Sequence, residues 1–312
     1  MAADSVEWHR FDGNRRCAGW GARGHHIARS KEDQPVLRSI LVALDSTEAS
    51  ATAQQLALRL AKKFTSQISG MAILDRAYIT APTAVGIGGM AYKQHRDQVK
   101  LEEAKAFLAR LESTFEQSCE ATGAAWQVIE AEGVPHKLIE MESGRHDLLV
   151  IGKDTDFHLD EHPTTSETVA HLLKENPRPL VVCPRNAPAS GPIVAAYDGS
   201  LRASRTLHML ILLGLADGAE VHVVAVANNQ ERADHRAAHA TELFVKHGIK
   251  AIAHGIASQA APAEIVLAEV EALQASMVAI GASGHTTLQS WLLGSASKEL
   301  LNACPCPLFV HH

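Results

Sequence analysis

The chain has 312 residues, 46% of them hydrophobic, and a net charge of −6 at pH 7 with histidine neutral. That length supports one large core or two of ordinary size, and the mild acidity offers no basic field for nucleic acid. No stretch approaches the roughly 18 uncharged apolar residues of a membrane span, and five scattered cysteines, an odd number, argue against a disulfide framework and for a reducing, cytoplasmic setting.

Residues 1–36 are polar, rich in Arg and His, and aperiodic; a disordered leader without a secretory apolar segment is expected there. SILVALDSTEAS (39–50) reads as a buried strand ending at Asp45, then small hydroxyl residues, then the helix SATAQQLALRLAKKF (50–64). The long middle, residues 75–98, contains GIGGM with no strand pattern before it. It fails the context of a dinucleotide fingerprint and is expected to be a mobile surface loop. Helical periodicity returns in LEEAKAFLARLESTFEQSC (101–119), and apolar strands follow in DLLVIG (147–152) and PRPLVVCP (177–184). RNAPASGP (185–192) has the composition of a linker.

The series then repeats. PIVAAYDGSLRAS (192–204) gives a strand ending before Asp198 and a helix start, VHVVAV (221–226) a strand, and ERADHRAAHATELF (231–244) and PAEIVLAEVEALQ (262–274) helices. SMVAIG (276–281) and the closing PCPLFVHH (305–312) mirror DLLVIG and PRPLVVCP. Short apolar strands alternating with helices predict right-handed βαβ crossovers and parallel sheets buried on both faces. The fold class is α/β: two tandem flavodoxin-like or Rossmann-like domains, at 37–186 and 191–312.

The stretch GASGHTTLQSWLLGSAS (281–297) carries the chemistry. It leaves a strand ending at Ile280, and apart from His285 it holds no ionisable side chain. Glycines at 281 and 284 let backbone N–H groups approach an anion. Gly294, Ser295, Ala296 and Ser297 open a helix whose unpaired N–H groups and positive dipole end favour a phosphate. Asp198, at a neighbouring strand exit, offers a carboxylate for ribose hydroxyls. Each feature alone also reads as a turn or a cap; their order together points to a nucleotide.

G-x-x-G, nine residues, then G-S, after the fourth strand of a unit whose first strand ends in Asp, resembles the ATP-binding type of universal stress protein, here in tandem. The resemblance covers all but the leader. It implies five-stranded parallel sheets, ATP (or ADP or AMP, with Mg) at the carboxyl ends of the strands, and pairing through the last strand. It further implies that Asp198 meets the nucleoside, that the backbone of Val226 meets the adenine, and that Ile280, Gly281, Ser283, Gly284 and residues 294–297 surround the phosphates. Ser283 stands where the family often has His or Arg. PLVVCP and PLFVHH are accordingly expected to pair with each other within the chain; a homodimer and an unidentified protein partner are compatible with this.

The first half departs from the motif. In IGKDTDFHLDEHPTTSETVAHLL (151–173), Gly152 persists, Thr155 replaces the second glycine, and Thr165-Ser166 replaces Gly-Ser. Asp154, Asp156, Asp160, Glu161 and Glu167 face a single base, Lys153, which would repel a triphosphate. Thr164-x-x-Glu167 matches a capping box that would satisfy the helix N-terminus internally. The first half is therefore expected to be structural or regulatory. His235 and His239, four apart on a polar helix face with Glu231, lack further evident ligands, and no residue is assigned to a metal. GxSxG, HExxH and GxxxxGK[ST] are all missing from the sequence, so no residue is assigned to catalysis. The expected function is an ATP-binding sensor or regulator; a nucleotide-free scaffold and a slow ATPase or nucleotidyl transferase remain the alternatives.

Overall fold

The computed structural model describes residues 23–24, 37–82, 90–157, 166–281 and 295–311. Most of the leader, the glycines of GIGGM, the acidic residues Asp160 and Glu161, Cys17, His285 and the loop 282–294 lie outside them.

In the first half, β1 (Arg23–Gly24) is followed by β2 (Ser39–Ala43), α1 (Glu48–Phe64), β3 (Gln67–Leu74), α2 (Arg76–Ile79), α3 (Met90–Thr122), β4 (Ala125–Glu132), α4 (Pro135–Ser143), β5 (Leu148–Gly152), α5 (Glu167–Glu175) and β6 (Leu180–Cys183). The second half runs β7 (Ile193–Ala196), α6 (Leu201–Leu212), β8 (Val221–Ala227), α7 (Gln230–Lys246), β9 (Ala251–Ala257), α8 (Pro262–Ala272), β10 (Met277–Gly281), α9 (Ser295–Ala303) and β11 (Leu308–His311).

Among the described residues the strands join one sheet in the order β1-β4-β3-β2-β5-β6-β11-β10-β7-β8-β9. Within each half five strands run parallel, as the alternating pattern predicts. The halves meet where β6 and β11 pair antiparallel, Val181 opposite Phe309 and Leu180 opposite Val310. The expected pairing of the two closing strands is thus present.

The sheet is apolar on both faces because its strands are near-continuous apolar runs. Ile40, Val42, Phe115, Val181, Phe309, Leu207 and Phe244 belong to one layer, which runs unbroken through both halves. Leu41, Met71, Ile139, Leu172, Val182, Leu308, Val266 and Leu300 belong to the layer on the opposite face, equally continuous. Fully burying a side chain such as Phe309 contributes roughly 1.5–3 kcal/mol, so the seam between halves is core, not a surface contact.

Residues 75–98 are not one loop. Asp75 caps α2 by accepting from the Tyr78 N–H at 3.0 Å, and α3 begins at Met90, well before the expected start at 101. MAYKQHRDQ has good helix formers, and its register is held by local ion pairs and one contact to the preceding turn rather than by an apolar stripe. Lys93 donates to the Thr80 carbonyl at 3.2 Å and pairs with Asp97, which Arg96 also contacts at 2.9 Å. The Lys93 ammonium first, then Arg96, hold the Asp97 carboxyl below its ordinary range.

Candidate functional site

β2 lies at the centre of the first half and β7 at the centre of the second, and the chain leaves each first to one side and then to the other. The reversal falls between β2 and β5 in the first half and between β7 and β10 in the second. Ligands in open parallel sheets collect beyond the carboxyl ends of the strands at such reversals.

At the second reversal, Asp198 follows β7 and is half-buried, its Oδ1 accepting from the Ser200 N–H at 2.8 Å. Ser200 in turn caps α6, accepting from the Ala203 N–H at 3.1 Å. Gly199, between them, takes φ +83, a conformation that favours glycine. β10 lies beside β7 with Ala279 opposite Ala195, so Ile280 and Gly281 end next to the Asp198 exit. Val226 is the penultimate residue of β8, one strand further, opposite Ile256 of β9. β11 runs parallel to β10, so α9 must return down the sheet and its first turn, Ser295, Ala296 and Ser297, starts at the same end. Ser283, Gly284 and Gly294 lie outside the described residues.

Gly281 has a packing reason to be glycine. A Cβ there would lie 2.5 Å from the Ala203 nitrogen and 2.7 Å from its Cα, inside the first turn of α6. Gly152 meets the Ser50 nitrogen at 2.5 Å in the same way. Both halves thus use a strand-end glycine to seat a helix N-terminus against the sheet.

At the first reversal, Asp45 Oδ1 accepts from both the N–H and the hydroxyl of Thr47 at 2.7 Å. Asp45 is 7% exposed, its Oδ2 is buried, and the Thr155 side chain lies against the carboxyl. Burial pushes its carboxyl above the usual carboxylate range against the pull of Thr47. The loop after β5 is folded onto itself: the Thr155 N–H donates to the Gly152 carbonyl and the Ser166 N–H to the Lys153 carbonyl, both at 3.2 Å. Asp154, expected to contribute like-charge repulsion, is instead paired with Arg185 at 3.0 Å. The capping box at 164–167 is corrected. Ser166 is the cap, accepting from the Val169 N–H at 3.3 Å, and Glu167 is the first helical residue. The serine hydroxyl already reaches the third helical N–H from there, which leaves Glu167 too early for a reciprocal bond.

Beside Asp45 opens a cavity of about 370 Å³ that the sequence reading missed. Leu44 and Thr47 flank Asp45; Ile73 and Leu74 come from β3, Ile79 from α2, Ala104, Phe107, Leu108 and Leu111 from α3, and Asp156 and Phe157 from the loop after β5. Its far wall is the helix that begins inside the stretch read as a loop, so the only available signal was the polar helix-forming run at 90–98.

His235, His239 and Glu231 are exposed on α7, and among the described residues no three His, Cys, Asp or Glu side chains gather as a metal would require. Cys119 is buried, its thiol pushed up to about 12 by burial. Cys304 and Cys306 are buried with their Sγ atoms 3.6 Å apart. Sequence reasoning also missed a polar chain across β8 and β9. Glu220 contacts His222 at 3.0 Å, the His222 and His254 rings share a 2.8 Å hydrogen bond, and Glu269 lies 3.6 Å from His254.

Residues 190–312 match the model of the universal stress protein family. A universal stress protein of Synechocystis sp. (strain PCC 6803) is 21% identical over 288 residues, covering 87% of this chain and 99% of that one. The crystal structure of a universal stress protein from Archaeoglobus fulgidus DSM 4304 has a TM-score of 0.64 at 20% identity, covering 87% of this chain and 97% of that one. A functionally unknown protein from Pseudomonas aeruginosa PAO1 follows with a TM-score of 0.53 at 17% identity, covering 88% and 92%. At such identities the structures speak to the fold alone, but they do so across both halves. Residues 190–312 thus match the universal stress protein family model, and the chain as a whole is similar to universal stress proteins in sequence and shares their fold across both halves.

Proposed function

We propose that residues 191–312 form an adenine-nucleotide-binding unit, that residues 37–186 form a companion unit without nucleotide, and that the chain acts as a cytoplasmic nucleotide-responsive regulator in the stress response. The observation that carries this reading is that Asp198, Ile280 and Gly281 stand at the reversal between β7 and β10, with Val226 one strand away at the same end of β8 and the first turn of α9 following β10. In this reading Asp198 accepts from the ribose hydroxyls and the backbone at Val226 faces the base. The amides of 281–284 and 294–297, with the Ser283, Ser295 and Ser297 hydroxyls, bind the phosphates of ATP, ADP or AMP, and Mg accompanies the longer phosphate tails. Partners beyond the nucleotide are a protein that reads the nucleotide state and a second copy of the chain.

Nucleotide released from the purified chain, measured per polypeptide, tests this directly. A ratio near one is expected, and a ratio near two would place nucleotide in the first half as well. ATP at a hundred times its Kd should stabilise the chain by about 2.7 kcal/mol; Asp198→Ala should weaken that stabilisation and Gly294→Glu should remove it. A chain that neither retains nucleotide nor is stabilised by millimolar ATP is a scaffold. That second reading has one observation in its favour: packing against α6 already explains Gly281.

A further inference from the structure

Cys304 and Cys306 flank Pro305 in the short turn between α9 and β11. The Cys304 N–H donates to the Leu300 carbonyl at 2.8 Å, which ties it to the last turn of α9. Cys306 stands two residues before Leu308, which pairs with Val182 at the seam between the halves. Prolines at 305 and 307 fix φ on either side of Cys306, so the turn has little freedom. Within it the two Sγ atoms lie 3.6 Å apart and share a hydrogen bond.

Buried cysteines ordinarily serve as small apolar side chains, and Cys119 and Cys183 fit that role. Burial pushes both thiols up, Cys119 to about 12. Cys304 is 5% exposed, yet it differs from them. The thiol and the backbone N–H of Cys306 both donate to its sulfur, and Lys153, from the loop after β5, adds a positive charge nearby. Together they hold the Cys304 thiol below its ordinary range, although burial opposes them. Donation to Cys304, then burial, pushes the Cys306 thiol up. The pair is therefore polarised: one sulfur is prepared as a thiolate and its neighbour keeps the proton. Beside both sulfurs is an opening of about 10 Å³, lined by Lys153, Val182, Pro184, Leu300, Leu301 and Leu308. It has room for about one water-sized molecule.

We propose that Cys304 and Cys306 form a peroxide-sensitive dithiol that closes to an intrachain disulfide beside the seam. The Cys304 thiolate attacks one oxygen of hydrogen peroxide; the O–O bond breaks, hydroxide leaves, and Cys304 becomes a sulfenic acid. Hydroxide takes up the proton that Cys304 had released. The Cys306 sulfur then attacks Cys304 Sγ, the S–O bond breaks, and the leaving oxygen departs as water with the Cys306 proton. Two thiols are oxidised, one peroxide is reduced, and two waters form. The closed ring spans only Cys304 to Cys306, so it constrains the unfolded chain little; the bond is a reversible mark, not a structural staple. This site is independent of the nucleotide reading.

The test exposes the reduced full chain to equimolar hydrogen peroxide, quenches with catalase, alkylates the remaining thiols after denaturation and maps tryptic peptides by mass. The peptide from Glu299 to His312 becomes lighter by two hydrogens and escapes alkylation, and dithiothreitol reverses both changes. Cys119 and Cys183 react about a hundredfold more slowly or less and stay alkylated, because their thiolate fractions are far smaller. Oxidised glutathione, too large for the opening, reacts about tenfold more slowly or less at equal oxidising equivalents. In Cys306→Ser, dimedone traps a sulfenic acid on Cys304 and no intrachain disulfide forms; Cys304→Ser loses the fast reaction. Alkylation of Cys304 and Cys306 to the same extent as Cys119 and Cys183 overturns the proposal. So does a disulfide from either sulfur to Cys17, Cys183 or a second chain, a dimedone adduct on Cys306, or equal reaction with oxidised glutathione. The peptide map of the parent chain decides the matter whether or not a serine variant folds.

Discussion

Asp45 and Asp198 leave equivalent central strands, and each accepts from the residue that caps the next helix. Yet Asp45 is buried and Asp198 half-exposed. The difference traces to the residue five positions on. The Ser50 hydroxyl accepts from the Asp45 N–H at 3.1 Å and donates to the Ala43 carbonyl at 3.2 Å, drawing the strand exit inward. Ala203 occupies the corresponding place against Gly281 and has no hydroxyl to do so. One local design thus yields two different openings: a buried carboxyl beside a largely apolar cavity, and a half-exposed carboxylate at the strand exit.

That contrast presupposes that both exits are held in one sheet. Phe309 sits at the β6–β11 seam, fully buried opposite Val181. Phe309→Ala should cost about 3–5 kcal/mol, and calorimetry should show the single transition of a shared core splitting into two. A single transition with a loss below about 1 kcal/mol would mean that the halves hold themselves together without the seam.

Much of this was legible in the residues. Continuous apolar runs ending in Asp or Gly marked the central strands, because buried parallel strands need no alternation, and the proline-led closing runs pair as the family resemblance implied. The cavity was not legible. Its wall depends on the N-terminal turns of α3, whose mean pattern is polar and whose anchoring ion pairs, Lys93 and Arg96 on Asp97, lie within one turn and carry no periodic signal. Nor could the sequence separate two reasons for Gly281. Close approach of a helix and close approach of a phosphate both demand a missing Cβ, and only the packed fold reveals Ala203 in that space.

Gly281→Ala and Gly152→Ala put the two halves side by side. Each adds a Cβ within 2.5 Å of a helix nitrogen, so each should destabilise by about 1–3 kcal/mol as an overpacked core does, in chemical denaturation without ligand. Matched losses identify seating of α1 and α6 as the common role. A Gly281→Ala chain that keeps its stability and loses only the response to ATP would assign that glycine to the ligand.

The smallest effect tests the origin of the contrast itself. Ser50→Ala removes two buried hydrogen bonds of one hydroxyl and should cost about 1 kcal/mol, but its informative readout is the titration of Asp45. In the folded chain burial holds that carboxyl above the value of an unfolded aspartate. The native state therefore keeps its proton to higher pH than the unfolded state does. Its contribution to stability is fully present below the unfolded pKa and is lost as pH rises through the folded one. Freed from Ser50, the exit relaxes toward the exposure seen at Asp198, desolvation weakens, and the window closes from its upper edge. A carboxylate-resolved NMR titration should show the Asp45 pKa falling toward the ordinary range in Ser50→Ala, with the stability profile flattening over the same pH interval. If the Asp45 pKa stays where it is in the parent, the serine is not what buries it, and the apolar cavity wall from β3 and α3 must hold the carboxylate in place by itself.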